Sequence, residues 1–288
     1  MGVFKSLSAG AAAVLRKPRV PLVLYVVNVL FAAAVAAPFL AIVQAELGRS
    51  FLGSIVRPAD LVWLGEAALK YGAALPALLA GFLVAALLYL ALQVFLNGGV
   101  YGRLLDSEGT TRLAEFSADC GRYFWRFVRL FLVSAVFLIL TLGVVMKLVS
   151  AVIRPLAEGA ATEWLPLVLS NLHLLLALLL LSIVRMVVDY SRIAVVADAE
   201  RKVLKAVRHA VIFLKKRFFR AWAIYLLIAV LTVAGAVLFH AVLGMLGAPA
   251  AVQVLAAFAW MQLYVLFRMG VRAWFVAAQA EFYRSHPY

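Results

Sequence analysis

An all-α, polytopic membrane fold is what this 288-residue chain predicts, on three observations: 67% of its residues are hydrophobic, only 14% are charged, and the apolar residues gather in long runs free of Asp and Glu. With a mean hydropathy of +1.05, the chain holds more apolar matter than a soluble protein of this length could bury in one core. The runs reach the roughly 20 residues that a helix needs to cross a hydrocarbon layer about 30 Å thick. Backbone polar groups in lipid must be satisfied within the chain, which leaves helices or closed barrels. Long Leu- and Ala-rich stretches without alternation exclude barrel strands. Six spans are therefore expected, arranged as three hairpins, with cytoplasmic amphipathic interfacial helices between them.

The chain opens with Phe4, Leu7, Ala11 and Leu15 at helical spacing, a short amphipathic helix. Met1-Gly2-Val3-Phe4-Lys5-Ser6 also matches the short N-myristoylation pattern, which arises often by chance. The first span runs from Val20 to Gln44; no small-residue cleavage site follows a short apolar core, so it is expected to be a mature helix rather than a signal peptide. Beyond it, Asp60 is placed to cap a helix that runs through Lys70 and ends at Gly72, with Leu61, Leu64 and Leu69 apolar. The second span is Ala73 to Asn97. A longer amphipathic helix follows: Leu113, Phe116, Cys120, Phe124 and Phe127 make an apolar stripe, with Arg112, Glu115, Asp119, Arg122 and Arg126 largely opposite. Cys120 is the single cysteine, so no intrachain disulfide can form, and it reads as a small apolar residue on a half-buried face. Spans three and four are Val128 to Ser150 and Leu165 to Val188. Val203, Val207, Ala210 or Val211, Leu214 and Phe218 then repeat the amphipathic design, with Lys202, Lys205, Arg208, His209 and Lys216 on other faces. Spans five and six are Ala221 to Leu246 and Ala250 to Phe275.

Charge supplies an orientation. The regions flanking six spans alternate between two sides, and 22 of the 27 Lys and Arg residues fall on one of them, where the whole net charge of +14 resides. The other side keeps Arg49, Arg57, Lys70, Lys147 and Arg154 against five acids. The positive-inside rule makes the basic side, with both termini, cytoplasmic, and implies a cell inner membrane. Topology and attraction to an anionic inner leaflet account for the basic pI, so nucleic acid is not expected as a partner. Arg122, Arg126, Lys215, Lys216 and Arg217, on the two longer amphipathic helices, are the candidate contacts to anionic lipid.

The even-numbered spans end alike, in Tyr101-Gly102-Arg103, Tyr190-Ser191-Arg192 and Gly270-Val271-Arg272. Each odd span is preceded by an amphipathic segment. The chain thus reads as one membrane domain, residues 1–288, built from three internal repeats near 1–110, 111–200 and 201–288. Mitochondrial carriers also have three hairpins, but Pro58-Ala59-Asp60 lacks the basic residue of their Pro-x-acidic-x-x-basic signature, and the surface helices here lie between hairpins. The stretches Phe95-Leu96-Asn97-Gly98-Gly99, Gly121-Arg122-Tyr123-Phe124-Trp125-Arg126-Phe127 and Val188-Asp189-Tyr190-Ser191-Arg192-Ile193, taken with the hairpin plan, resemble an uncharacterised group of bacterial six-helix integral membrane proteins. More distantly, the chain is similar to the membrane portion attached to some glycerophosphodiester phosphodiesterases. The soluble catalytic domain of those enzymes has no counterpart here, so the resemblance implies a fold and not that activity.

Ionisable and amide groups at membrane depth are costly, and so become the candidate site. Asp189 is the one acid within or beside a span, with Arg185 four residues before it and Arg192 three after, all on one helical face. Arg268 lies deep enough in the last span to want a partner, which suggests a bridge to Asp189 closing the cytoplasmic end. Asn97 and Asn171, with Asn28, Gln93 and Gln262, either line a solute path or join helices through amide hydrogen bonds. His173 and His240 lie within spans four and five. With no carboxylate or thiol at their depth to complete a zinc site, a neutral histidine bonded between helices is the expected state. No metal or cofactor is expected. Phosphate-cradling glycine loops, zinc-protease histidine pairs and serine elbows are missing from the sequence. The expected function is a non-enzymatic accessory or scaffold subunit, or a lipid-interacting membrane organiser, with membrane lipids and other membrane proteins as partners. A transporter or flippase-like carrier for a lipid or small anionic solute is the alternative.

Overall fold

The computed structural model describes residues 2–47, 75–106, 112–159, 162, 164–246 and 251–286. The helix expected over Asp60–Lys70 lies outside the described residues. Every regular element among them is helical: α1 (Val3–Arg16), α2 (Arg19–Leu47), α3 (Leu75–Leu105), α4 (Leu113–Glu158), α5 (Trp164–Ala197), α6 (Val203–Met245) and α7 (Ala251–Arg284). Six of them, all but α1, are long and apolar enough to span a membrane. The chain is an all-α multi-pass membrane protein, as its composition predicts. Helix–helix packing divides it into two compact units, Met1–Leu22 with Val94–Tyr288, and Val23–Gln93.

The three amphipathic segments join their spans differently. Between α1 and α2 the helix breaks at Lys17 (φ −125°, ψ 55°), which precedes Pro18; the proline ring disfavours helical backbone at the residue before it. In α4 the amphipathic stretch runs straight into the span, with Glu115 receiving the Arg112 N–H (3.4 Å) at the first turn. Further on, Leu140–Val145 relaxes to π-helix, around a Gly143 with open space beside it. In α6 the helix kinks at Arg217 (φ −138°, ψ 25°), where the amphipathic stretch meets the span.

Each hairpin has its own polar or aromatic clasp. In the smaller unit, Asn28 accepts hydrogen bonds from Tyr89 (2.7 Å) and Gln93 (2.9 Å), and Phe31 packs on Tyr89. Ser150 and His173 join α4 to α5 at 3.3 Å, which gives that histidine an ordinary interhelical partner. Phe239 stacks on Tyr264 at 4.3 Å, Trp260 donates to the Phe239 carbonyl (3.2 Å), and Gly235 makes room for the Phe267 ring. Interhelical amide and hydroxyl bonds of this kind contribute about 0.6–2 kcal/mol each.

In the larger unit the core lies at the basic end. Helices α3, α5 and α7 continue eight or nine residues past the ends that hydropathy predicts (Asn97, Val188, Phe275), and their extensions carry Tyr101, Tyr190, Ile193 and Phe282, all almost wholly buried. The amphipathic stripes of α4 and α6 rest on these extensions, whereas α1 buries Ser6 and Gly10 and leaves Phe4 and Leu15 of its expected stripe exposed. Phe116 and Cys120 of α4 pack against Gly98 and Gly99 of α3, where a Cβ on Gly99 would stand 2.7 Å from both the Cys120 Sγ and the Phe116 ring. Phe213 of α6 meets Phe282 and Tyr283 of α7. Helix α1 lies along α7, with Gly10 so close that a Cβ there would meet the Ala278 backbone at 2.5 Å, and Trp274 bonded to the Leu7 carbonyl (2.8 Å). By contrast, Leu174, Leu175 and Leu178 of α5 and Val233, Val237 and Leu238 of α6 stand exposed, as residues facing lipid do.

Candidate functional site

The polar residues at the basic end of the larger unit form two nodes, each built on the closing segment of a helix whose sequence pattern singled it out. The first centres on Asp189, which the helical period of α5 turns inward. Arg192, one turn on, reaches its Oδ1 at 2.9 Å, and the Tyr225 hydroxyl of α6 donates to its Oδ2 at 2.6 Å. Arg192 also lies against Tyr101 of α3, so one ion pair is shared among three helices. Arg185 stands 4.0 Å from Asp189 and is three-quarters exposed, which makes it a marginal partner. Next to this node, Arg272 of α7 donates to Asn97 of α3 at 2.7 Å.

The expected bridge between Asp189 and Arg268 is not formed. Asp189 is saturated by Arg192 and Tyr225, while Arg268 points to the exposed side of α7, where a long side chain can carry its charge toward the membrane surface. Asn171 bonds back to the Leu167 carbonyl of its own helix (2.8 Å) and faces outward. His173 is taken up by Ser150. Of the six intramembrane candidates the structure therefore brings together Asp189 and Arg185, sets Asn97 beside Arg272, and leaves Arg268, Asn171 and His173 elsewhere.

The second node escaped the sequence reading. Arg103, at the end of α3, binds Asp119 through two of its nitrogens (2.6 and 2.7 Å), Glu115 at 3.0 Å and Asp106 at 3.5 Å. Asp119 is buried against Gly102 rather than turned to the polar face of α4. The signal was present: Gly98 and Gly102, four apart, mark a face of α3 where another backbone comes close, and Asp119 adjoins Cys120 at the centre of the stripe that fits it. The α3 C-terminus is finished by cations from both ends of the chain. Lys17 donates to the carbonyls of Arg103 (2.8 Å) and Asp106, and Arg284 to that of Leu105. These are the orphan acceptors at the negative end of the helix dipole. Burial holds the Lys17 ammonium below the usual lysine range. Several basic residues that topology alone would explain thus close a helix inside the protein.

A polar cleft of about 220 Å³ lies over this node, lined by Arg103, Asp106, Asp119, Arg122, Tyr123 and Arg284 among others. In the smaller unit an apolar groove of about 540 Å³ runs along Phe31, Val35 and Phe82. Among the described residues no three His, Cys, Asp or Glu side chains are grouped to hold a metal ion.

The five residues expected at anionic lipid divide by environment. Arg122, Lys215 and Lys216 are exposed, whereas Arg126 and Arg217 are half-buried and lie over the rings of Tyr123 (5.8 Å) and Phe213 (5.3 Å). Comparison with known proteins found no matching family model, curated protein or solved structure.

Proposed function

We propose that the chain is a non-enzymatic integral protein of a bacterial inner (cytoplasmic) membrane, an accessory or scaffold subunit that organises lipid or partner proteins. Both termini are cytoplasmic in this reading, because the basic end carries the excess charge. The observation that carries it is the contrast between the two kinds of surface. At the basic end, Asp189 is held by Tyr225 of α6 and Asp119 by Arg103 of α3, contacts that fix how those helices meet. Along the spans, broad apolar flanks such as Leu174, Leu175 and Leu178 stay uncovered, available to lipid or to the helices of another membrane protein. Isolation from the native membrane in mild detergent, followed by mass spectrometry, is expected to yield a companion protein in fixed ratio or a retained lipid; a bare chain would overturn the reading.

The second reading is a carrier for a lipid or small anionic solute, favoured by the polar cleft with Arg122 and Arg284 in its lining. It requires saturable flux in reconstituted vesicles that falls when Asn97, the partner of Arg272, is replaced by Leu. Flux indistinguishable from empty vesicles removes it.

A further inference from the structure

Two bulky aromatic residues of the larger unit stand almost free of protein: Trp125 of α4 is 69% exposed and Phe219 of α6 is 81% exposed. Their surroundings match closely. Each lies edge-on to the phenylalanine just before it, Trp125 on Phe124 at 5.3 Å and Phe219 on Phe218 at 5.6 Å. Exposed cations precede each ring by three or four residues, Arg122 one helical turn before Trp125 and Lys215 with Lys216 across the Arg217 kink from Phe219, and others follow at Arg129 and Arg220. Among the described residues Arg129, Lys215, Lys216 and Arg220 make no ion pair, and Arg122 makes one at 3.7 Å with an Asp119 already bound to Arg103. In sequence the two sites read Arg122-Tyr123-Phe124-Trp125-Arg126 and Lys216-Arg217-Phe218-Phe219-Arg220. Both stand at the same level on their helices: Leu132 and Leu226, each seven positions further on, belong to the exposed apolar surface of the spans. At 1.5 Å per residue that is about 10 Å, the distance from a headgroup layer into the hydrocarbon.

An exposed ring between exposed cations, at the edge of an apolar belt, is complementary to a phospholipid surface: the ring seats at the boundary of headgroup and acyl chains, and the cations meet phosphate. We infer that Trp125 with Arg122 and Arg129, and Phe219 with Lys215, Lys216 and Arg220, form a pair of anionic-phospholipid headgroup sites that hold a local pool of such lipid around the protein. The inference deepens the organiser reading and rests on it for the membrane, but not on the existence of a companion protein. Neither ring is needed by the core, since the stripe residues Phe127 and Ala221 beside them are the buried ones.

The test reconstitutes the full chain in nanodiscs of phosphatidylcholine with a minor fraction of phosphatidylglycerol, and counts the lipids that remain bound by native mass spectrometry. Wild type is expected to retain phosphatidylglycerol well above its bulk fraction. Each cation at an anionic surface is worth about a fivefold change, so R122Q/R129Q and K215Q/K216Q/R220Q should each remove the phosphatidylglycerol held at their own site, and the two sets combined should lower the total retained several-fold. The matching Arg↔Lys exchanges should preserve it. Should a variant fail to fold, the wild type serves alone: raising salt toward 1 M, where screening shrinks to about 3 Å, should remove the enrichment. Retention at the bulk fraction in wild type, or equal retention in folded variants, overturns the inference. A companion protein found without phosphatidylglycerol enrichment would uphold the scaffold reading while overturning this inference.

Discussion

Replacing Asp189 with Leu removes the acid from a node in which its two oxygens are held at 2.9 Å by Arg192 and at 2.6 Å by Tyr225. Asp189 is about 5% exposed and the Arg192 side chain 23%, so the abandoned guanidinium cannot turn fully to water. Breaking a buried pair this way costs about 3–5 kcal/mol. Each kcal/mol displaces Tm by about 2–4 °C for chains approaching this size, which makes the expected loss about 6–20 °C. Thermal unfolding of the detergent-solubilised protein, followed by tryptophan fluorescence, measures it. The instructive comparison is the triple variant Asp189→Leu, Arg192→Met, Tyr225→Phe. It removes both charges and the Tyr225 hydroxyl together, leaves the buried Tyr101 hydroxyl without the guanidinium it faces, and is expected to lie within about 1–3 kcal/mol of wild type. Arg185→Gln, which loses only a 4.0 Å exposed pair, should cost under about 1 kcal/mol. If the triple variant is as unstable as the sum of its three single changes, the groups act separately and the reasoning fails.

Gly102→Ala would place a Cβ 2.5 Å from the Asp119 carboxylate; the expected cost is about 1–3 kcal/mol, against a gain of up to about 1 kcal/mol for Gly121→Ala, which meets open space in the same kind of helix, both read from Tm. Ala199, between α5 and α6, has φ of 49°, and Ala199→Gly is expected to raise Tm slightly, relieving about 1 kcal/mol of left-handed strain less what the freer unfolded chain takes back. Glu200 accepts the Lys202 N–H and pairs with Lys205 at 2.8 Å, and the Lys205 bond holds its carboxyl below the usual glutamate range. Its contribution is therefore present above pH 4.5 and fades as the pH falls through the lower folded value. A Glu200→Gln variant should show a shallower loss of Tm over that acid range than wild type.

Hydropathy placed all six spans, because lipid exposure is what it measures. It stopped early on α3, α5 and α7 for the same reason: Tyr101, Arg192 and Gln279 lower the apolar average, yet they continue the helices into a protein core rather than ending them. Helical period identified the stripes of Phe116, Cys120, Ala210 and Leu214, but a stripe does not name what covers it. The covering surface depends on long-range approach, at Gly98 and Gly99 for α4 and at Ala278 for α1. Asp189 was legible as the one acid at a span and Arg192 as its neighbour. Tyr225 and Tyr101 were not, since a tyrosine in an apolar run looks the same whether its hydroxyl is bonded or wet. Arg268 misled because depth alone suggested a partner, whereas the direction of its side chain decides.

The seating of α1 has a consequence for how the chain is made. Leu7 and Trp274, joined by a hydrogen bond, are 267 positions apart, so the partner of α1 leaves the ribosome long after α1 itself. At about 5–20 residues per second, α1 waits roughly 15–50 s before α7 exists to receive it. During that interval the Ser6 and Gly10 face of α1, buried in the finished protein, has no helix to cover it. The insertion of α7 is therefore the event that docks α1, and a ribosome stalled before it leaves α1 without its partner.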